Sequence, residues 1–391
     1  MNKEENIEQF WEKIREWFLN KGIDAQRFPL YDSAVELVAD VETRQLYDDF
    51  CSEFSEKCIY ENEILSNRYK LFRVEEVDVY AYYTAGDERI RVICSKHTEY
   101  PFVMECDDYN DDIKVAVLNM SYCEQSGSGN GMCMVLTLGD GRFVIYDGGF
   151  KESDGTRLFQ YLNENNIRED GITIAAWVLT HGHEDHYGAF VHFTKKYSET
   201  VKVQYFVLNP ILNCREREDF LIGVPDMIRK NYTYSKILIP HSGMKFQFNN
   251  LQMEVVFTHE DVLPQAVAVI NDASIITRLS ANGKTILVMG DCQFTTPLVQ
   301  RALGKYVKSD ILQVPHHGDS GGSKDFYDLV DPETVVYCTS SEKFAKAKSK
   351  DWYLAPNHYL LNGLHVKNVI VADDGIQTLV INKEYKYKAA Q

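Results

Sequence analysis

The sequence predicts an α/β fold in which buried strands alternate with helices, behind a smaller N-terminal α+β unit. Residues 172–179 form a continuous apolar run of strand length that ends before Gly182, and such a run indicates a strand buried on both faces. Residues 187–197 follow with the length and composition of a helix. Further predicted strands at 142–146 and 284–289 lead to Asp147 directly and to Asp291 after one glycine, so carboxylates lie at strand ends.

The first part of the chain predicts a separate unit. At 391 residues the chain is too long for one small domain. Residues 3–21 have helical apolar spacing, residues 33–57 favour further helix, and residues 78–83 and 89–94 favour a β-hairpin. We therefore predict an accessory domain at 1–110, an acidic linker around 105–112 and a second domain at 111–391. The accessory domain either recognises a protein partner or the substrate, or braces the second domain.

The composition is that of a globular protein, with 45% hydrophobic and 25% charged residues. No apolar run approaches the roughly 18–20 residues of a membrane span, and the first residues lack the apolar core of a secretory signal. The nine cysteines are scattered without a C-x-x-C pair, as reduced thiols are. These features predict a cytoplasmic protein with no membrane partner.

The net charge of −17 is concentrated in the accessory domain. Residues 1–110 hold 25 acidic and 13 basic residues, and several acids of the second part are candidate metal ligands. An acidic surface repels long nucleic acid. We therefore expect a small-molecule or short nucleotide substrate.

Three histidines and one aspartate fall within six residues, as His181, His183, Asp185 and His186. Imidazole and carboxylate are the ligands of zinc and similar metals. Residues two apart in an extended segment point the same way, so His181 and His183 can bind one ion. Asp185 and His186, on the turn into the helix, can then face a second ion. We predict two zinc ions, with manganese as the alternative.

Three later strand ends carry further candidates. Asp147 precedes two glycines, and Asp291, whose carboxylate can bridge two cations, follows Gly290. Adjacent His316 and His317 follow the predicted strand at 310–314, after Pro315. The phase of that strand favours His316 as a ligand of the second ion, while His317 is either the ligand instead or a proton donor.

The segment 181–186 resembles the H-x-H-x-D-H motif of the metallo-β-lactamase superfamily of dinuclear hydrolases. The resemblance implies an αββα sandwich and a role for Asp147 in orienting a ligand. A flavodiiron oxidoreductase of this fold would be expected to carry Glu at position 183, so His183 favours hydrolysis over redox chemistry. The third-motif histidine of the superfamily is missing: Asn271 or Asp272 stands near its place, and His241 or His259 is a possible substitute.

The motif order over residues 113–382 is most similar to the hydrolase domain of ComEC-type competence proteins, which implies action on phosphodiesters. That order is D-G-G at 147–149, H-x-H-x-D-H at 181–186, N-x-x-S at 271–274, G-D at 290–291 and H-H-G at 316–318. A Ser/Gly-rich loop at 125–131 replaces the family's glycine–glutamine–glycine run. The membrane-channel part of a competence protein is absent from the sequence.

The hypothesis is metal-assisted hydrolysis by a metal-bridging hydroxide. His181 and His183 bind the first ion, Asp291 bridges, and the second ion is bound by Asp185, His186 and His316. The residues with catalytic roles are Asp185, Asp147, which orients a ligand, and His317 or His358, which would protonate the leaving group or bind the phosphate. The alternatives are a lactone, thioester or β-lactam hydrolase on the same metals, and a non-catalytic regulatory or binding protein.

Overall fold

A computed structural model describes residues 3–41, 44–102, 111–123, 129–212, 214, 220–349 and 355–382. Most of the predicted linker at 105–112 lies outside these residues, as do residues 125–128 of the predicted Ser/Gly loop. The N-terminal part contains two helices and a six-stranded antiparallel sheet of order β1-β2-β6-β5-β4-β3. Its elements are α1 (Lys3–Asn20), β1 (Gln26–Pro29), β2 (Val35–Asp40), α2 (Gln45–Ser52), β3 (Cys58–Ile64), β4 (Asn67–Val74), β5 (Val77–Thr84) and β6 (Arg89–Lys96).

The two helices cover one face of this sheet. The apolar stripe of α1 is buried against it, as its spacing predicts, through Ile7, Trp11, Ile14 and Phe18. The predicted helix over 33–57 is wrong in its first part, because residues 35–40 form β2. This segment pairs with β1 on one side and β6 on the other, so its Val and Leu side chains are buried in a central strand.

The remaining elements form two further sheets with helices outside them. In chain order they are β7 (Ile113–Val117), β8 (Tyr122–Cys123), β9 (Gly129–Asn130), β10 (Cys133–Thr137), β11 (Phe143–Asp147), α3 (Glu152–Asn165), β12 (Thr173–Val178), α4 (Glu184–Tyr197), β13 (Lys202–Val207), α5 (Val224–Asn231), β14 (Lys236–Leu238), β15 (Lys245–Phe248), β16 (Leu251–Phe257), β17 (Ile276–Ala281), β18 (Lys284–Val288), α6 (Thr296–Leu303), β19 (Ile311–Gln313), α7 (Lys324–Val330), β20 (Thr334–Tyr337), α8 (Ser341–Ala347), α9 (Ala355–Asn362), β21 (Asn368–Val371) and β22 (Gln377–Ile381).

The two large sheets have seven strands each, in the orders β14-β13-β12-β11-β10-β7-β22 and β15-β16-β17-β18-β19-β20-β21. Helices α3, α4 and α5 share one apolar cluster with the first sheet, and α6, α7 and α9 pack with the second. This arrangement confirms the predicted αββα sandwich. The C-terminal strands β21 and β22 belong to different sheets, although only residues 372–376 separate them in the chain.

The second face of the N-terminal sheet packs against the sandwich. The Tyr80 hydroxyl donates to the Ser242 carbonyl at 2.7 Å. Buried Arg91 pairs with buried Glu36 at 3.3 Å and donates across the interface to the carbonyls of Glu260, at 3.1 Å, and of Asp261 and Leu263. Because a buried guanidinium needs such acceptors, the N-terminal sheet and the 260–263 turn depend on each other.

Glu260 continues this buried network inside the sandwich. Its carboxylate lies 2.8 Å from His241 Nδ1 and accepts from the Asn209 amide at 2.9 Å. Burial opposes the ionisation of Glu260, but His241 and Asn209 overcome it and hold the pKa of Glu260 below its usual value. Across the described ranges of the chain, none of the helices has both the length and the apolar character that a membrane span requires.

Candidate metal centre

The predicted site residues stand at neighbouring strand ends. β11 and β12 are parallel, and so are β18 and β19. The carboxyl ends of each pair therefore lie at the same edge of their sheet. Asp147 ends β11, and His181 follows β12 after two residues. Asp291 follows β18, and the His316–His317 turn follows β19. The close approach of α4 to this edge needs Gly131, because a Cβ there would lie 2.6 Å from the Asp185 carbonyl oxygen.

Two overlapping groups of buried side chains have the composition of metal-ligand sets. His181, His186 and Asp291 form one group, and Asp185, His186 and His317 form the other. Within each group the candidate ligand atoms lie within 4.8 Å of one another. Because His186 belongs to both groups, the two positions adjoin, as a dinuclear centre requires.

Asp291 connects the two groups. Its Oδ2 lies 3.2 Å from His186 Nε2, 3.3 Å from His317 Nε2 and 4.0 Å from His181 Nε2. Its other oxygen, Oδ1, is buried without a hydrogen-bond partner among the described residues. A buried carboxylate oxygen without a donor is costly unless a cation neutralises it, so these residues fit a metal ion.

Outer hydrogen bonds set the orientation of two imidazoles. His186 Nδ1 lies 2.8 Å from Asp147 Oδ2, and His317 Nδ1 donates to the Cys338 carbonyl at 2.6 Å. With both Nδ1 atoms protonated, the neutral rings present their Nε2 lone pairs to each other, 3.2 Å apart. Two facing lone pairs at this distance need a cation or a proton between them.

The charges of the site follow from close pairing of imidazoles and carboxylates, which outweighs the effect of burial. Burial disfavours the imidazolium form of His186, but Asp291 and Asp147 together raise the pKa of His186 well above its usual value. In the same way Asp291 and Asp185 overcome the burial of His317 and raise its pKa to about 9. The imidazoles in turn hold the pKa values of the Asp185 and Asp291 carboxyl groups low despite their burial. A divalent cation would take over the positive charge that protons otherwise supply.

His183 stands at the margin of the centre. Its Nδ1 lies 3.2 Å from His181 Nε2, and the two rings meet edge to face with centroids 4.9 Å apart. His181 Nδ1 is contacted by the Thr180 hydroxyl at 3.1 Å and the Ser274 hydroxyl at 3.3 Å. The structure thus brings His181 and His183 together as the H-x-H spacing predicts, while their assignment to one ion stays a prediction.

The structure places His317 where the sequence analysis places His316. β19 ends at Gln313, and His316 and His317 both have positive φ, at 49° and 55°. The alternation of a strand therefore does not extend to the turn, and it gives no valid choice between the two histidines. His317 faces Asp185 and Asp291, whereas His316 contacts Gln293 and other polar groups.

The candidate replacements for the missing histidine have other partners. Asp272 Oδ1 accepts the backbone N–H groups of residues 293–295. His241 contacts Glu260, and His259 lies 3.1 Å from Asn209 Oδ1. Neither histidine belongs to a metal-ligand group within the described ranges.

His358 lies on α9 and lines a cavity of about 330 Å³ with Lys324 and Tyr359, apart from the metal-ligand groups. Its role toward substrate stays a prediction. Sequence reasoning missed Gln293 and Cys338, and it gave Ser274 no role although this residue ends the N-x-x-S motif. The position of Gln293, two residues after Asp291, was a weak signal, and Cys338 gave none.

Solved structures with similar folds are distant. CmlA, a diiron β-hydroxylase from Streptomyces venezuelae, is 10% identical over 70% of this chain and 55% of that chain, with a TM-score of 0.41. A long form of RNase Z from yeast is 11% identical over 81% of this chain and 51% of that chain, with a TM-score of 0.42. A metallo-β-lactamase from Hirschia baltica is 13% identical over 56% of this chain and 91% of that chain, with a TM-score of 0.34.

The chain thus spans only about half the length of the hydroxylase and of RNase Z. No curated protein sequence matches it. A family model described as the metallo-beta-lactamase superfamily matches residues 127–339, which is more than half of the chain and includes all of the metal-ligand groups. The chain therefore belongs to the metallo-β-lactamase superfamily.

Proposed function

We propose that the protein is a metal-dependent hydrolase with two adjacent metal positions, and that its substrates are phosphodiesters. The observation that carries the proposal is the pair of Nε2 atoms of His186 and His317, which face each other at 3.2 Å beside the carboxylate of Asp291. Metal ions bound here would supply a water of lowered pKa as the nucleophile and a Lewis acid for the scissile group.

The residues of the site have separate proposed roles, as metal ligands or as groups that orient a ligand. His181, His183, Asp185, His186 and His317 would hold the ions, and Asp291 would face both positions. Asp147 keeps the proton of His186 on Nδ1, so that Nε2 stays free to bind metal. The Cys338 carbonyl does the same for His317. All of these side chains except His183 are buried, which strengthens their electrostatic effect on a reacting group.

The choice of phosphodiesters rests on the motif order, which resembles that of ComEC-type hydrolase domains. The net charge of −17 supports a small or short nucleotide substrate over long nucleic acid. The nitrogen-rich ligand set supports zinc, with manganese as the second candidate. A cytoplasmic location and a protein partner for the N-terminal domain stay predictions.

Elemental analysis followed by turnover assays tests this proposal. The purified protein should contain zinc or manganese, and it should hydrolyse bis-p-nitrophenyl phosphate faster than a panel of lactones. Asp185→Ala and His186→Ala should abolish turnover without changing the far-ultraviolet circular dichroism, whereas His365→Ala, which alters an exposed histidine, should have no effect.

Each contrary outcome is informative. A protein that neither contains nor takes up metal would refute the metal centre. Turnover of lactones alone would show that phosphodiesters are the wrong substrate class and would favour the alternative lactone, thioester or β-lactam hydrolase. Bound metal without any turnover would indicate a regulatory or binding role.

A further inference from the structure

Two hydroxyl groups contact one ring nitrogen of His181, opposite the nitrogen that faces Asp291. His181 Nδ1 lies 3.1 Å from Thr180 Oγ1 and 3.3 Å from Ser274 Oγ. His181 Nε2 faces Asp291 Oδ2 at 4.0 Å. Thr180, His181 and Ser274 are each 1% exposed, so contacts within the protein determine which ring nitrogen carries the proton.

The Thr180 hydroxyl can only accept a hydrogen bond from His181. A hydroxyl has one proton, and that of Thr180 is donated to the Asp147 carboxylate, with Oγ1 2.9 Å from Oδ2. The other oxygen of Asp147 accepts the Thr180 backbone N–H at 2.8 Å, which fixes this residue in place. A neutral imidazole, the form that binds metal, has one N–H. The contact at 3.1 Å therefore requires that N–H to be on Nδ1 of His181, which leaves the lone pair on Nε2.

The Ser274 hydroxyl is compatible with either position of the ring proton. Its Oγ accepts the backbone N–H of Asp291 at 3.0 Å, and it keeps its own proton and one lone pair for His181. It can accept from a protonated Nδ1 or donate to an unprotonated one. Ser274 therefore links His181 to the loop that carries Asp291, whereas Thr180 alone determines the tautomer.

Both hydroxyl-bearing residues pack closely against that loop. Gly290 has a φ of 54°, and a Cβ there would lie 2.8 Å from Ser274 Oγ and 3.1 Å from Thr180 Cβ. The Thr180 carbonyl also accepts the Ile275 backbone N–H at 3.0 Å, which joins the two segments. Neither hydroxyl can turn away from His181 without disturbing this packing.

We propose that Thr180 is a positioning residue whose hydroxyl connects Asp147 to His181 and keeps the proton of His181 on Nδ1, so that Nε2 can bind metal. Asp147 thereby orients two histidines, His186 by direct contact and His181 through Thr180. The inference rests on the metal centre of the proposed function. Since His181 belongs to only one of the two metal-ligand groups, loss of the Thr180 hydroxyl should affect the two metal positions unequally.

Calorimetric zinc titration of the full chain, after removal of metal, tests this inference. Thr180→Val keeps the shape of the side chain and removes the hydroxyl. The Ser274 hydroxyl can then donate to Nδ1 of His181, which moves the ring proton to Nε2 and removes the lone pair that binds metal. One of the two zinc ions should therefore bind about 10- to 100-fold more weakly, while the other keeps its affinity within about threefold.

Three further variants separate the tautomer from a general structural effect. Thr180→Ser keeps the hydroxyl and should bind both zinc ions as the wild type does. Adding Ser274→Ala to Thr180→Val should recover part of the lost affinity, because no hydroxyl then remains to donate to Nδ1. Thr285→Val is the control: the Thr285 hydroxyl also donates to a carboxylate, that of Asp310 at 3.1 Å, but at the amino end of β18, so both zinc affinities should be unchanged.

Nitrogen-15 spectra of the imidazole rings report the tautomer without metal or turnover. In the metal-free wild type and Thr180→Ser, His181 should carry its proton on Nδ1. In metal-free Thr180→Val the proton should be on Nε2.

A proton on Nε2 of His181 in the wild type would overturn the inference, and so would a Thr180→Val variant with the wild-type tautomer and zinc affinities. Equal weakening of both zinc ions would also overturn it, because that result indicates a general structural role. Failure of the proposed function has a different result: a wild type that binds zinc but hydrolyses no phosphodiester refutes that function alone, since neither the spectra nor the zinc affinities depend on turnover.

Discussion

Replacing Asp147 by Asn should weaken metal binding although Asp147 is not a proposed ligand. The Asp147 carboxylate is fully buried and accepts three hydrogen bonds, from Thr180 N at 2.8 Å, from Thr180 Oγ1 at 2.9 Å and from His186 Nδ1 at 2.8 Å. An asparagine that keeps the bond from Thr180 N presents its NH₂ group to His186 Nδ1. The proton of His186 must then move to Nε2, which removes the lone pair that would bind metal.

The expected size follows from these contacts. Loss of an orienting partner of this kind costs about 10- to 100-fold in metal affinity, which is about 1.4–2.7 kcal/mol. The metal-free protein should also lose about 1.5–3 kcal/mol of its free energy of unfolding, because a charged acceptor is removed from a buried site. Calorimetric zinc titration and urea unfolding of the metal-free protein measure the two effects.

Asp154→Asn is the matched control. Asp154 is equally buried, and it accepts the backbone N–H groups of Ser121, Phe150 and Lys151 at 2.9–3.0 Å. It belongs to neither metal-ligand group of the described chain, so its variant should lose stability but keep the zinc affinity of the wild type. Wild-type zinc affinity in Asp147→Asn would refute the tautomer argument.

Three further predictions concern the framework of the site. Arg91→Met should lower the free energy of unfolding, measured in urea, by about 3–5 kcal/mol, because it leaves the Glu36 carboxylate buried and unpaired. Adding Glu36→Leu should recover part of the loss, and additive effects of the two changes would contradict this pairing. The pKa of Glu260 is below its usual 4.5 in the folded protein, so the stabilising contribution of its carboxylate is complete above about pH 4.5 and is lost as the pH falls through the lower folded pKa. Glu260→Gln should therefore make the free energy of unfolding less dependent on pH at acid pH. An unchanged pH dependence would contradict the stabilisation by His241 and Asn209. Gly131→Ala should lower the free energy of unfolding by about 1–3 kcal/mol and weaken zinc binding, because its Cβ would displace the backbone of α4. Gly223→Ala, whose Cβ meets nothing within 4 Å, should be neutral in both assays, and equal behaviour of the two variants would exclude the steric explanation.

Local patterns in the chain were sufficient for much of this architecture. The apolar run at 172–179, the helix after it and the H-x-H-x-D-H spacing each depend on residues close in sequence, and the structure places them as β12, the start of α4 and the cluster between them. The apolar stripe of α1 was equally predictable, because helical periodicity is visible in any single segment. β2 was not, since its conformation is determined by pairing with β1 and β6.

The sequence by itself determined the fold class, the residue types of the metal centre and the strand ends that carry them. Only the tertiary structure decided that His317 faces Asp291, because the positive φ of His316 and His317 ends the side-chain alternation that β19 would otherwise continue. It also decided that Asp272 supports the backbone of residues 293–295 and that β22 joins the first sheet. These outcomes depend on contacts between residues far apart in the chain, and no local spacing encodes such contacts.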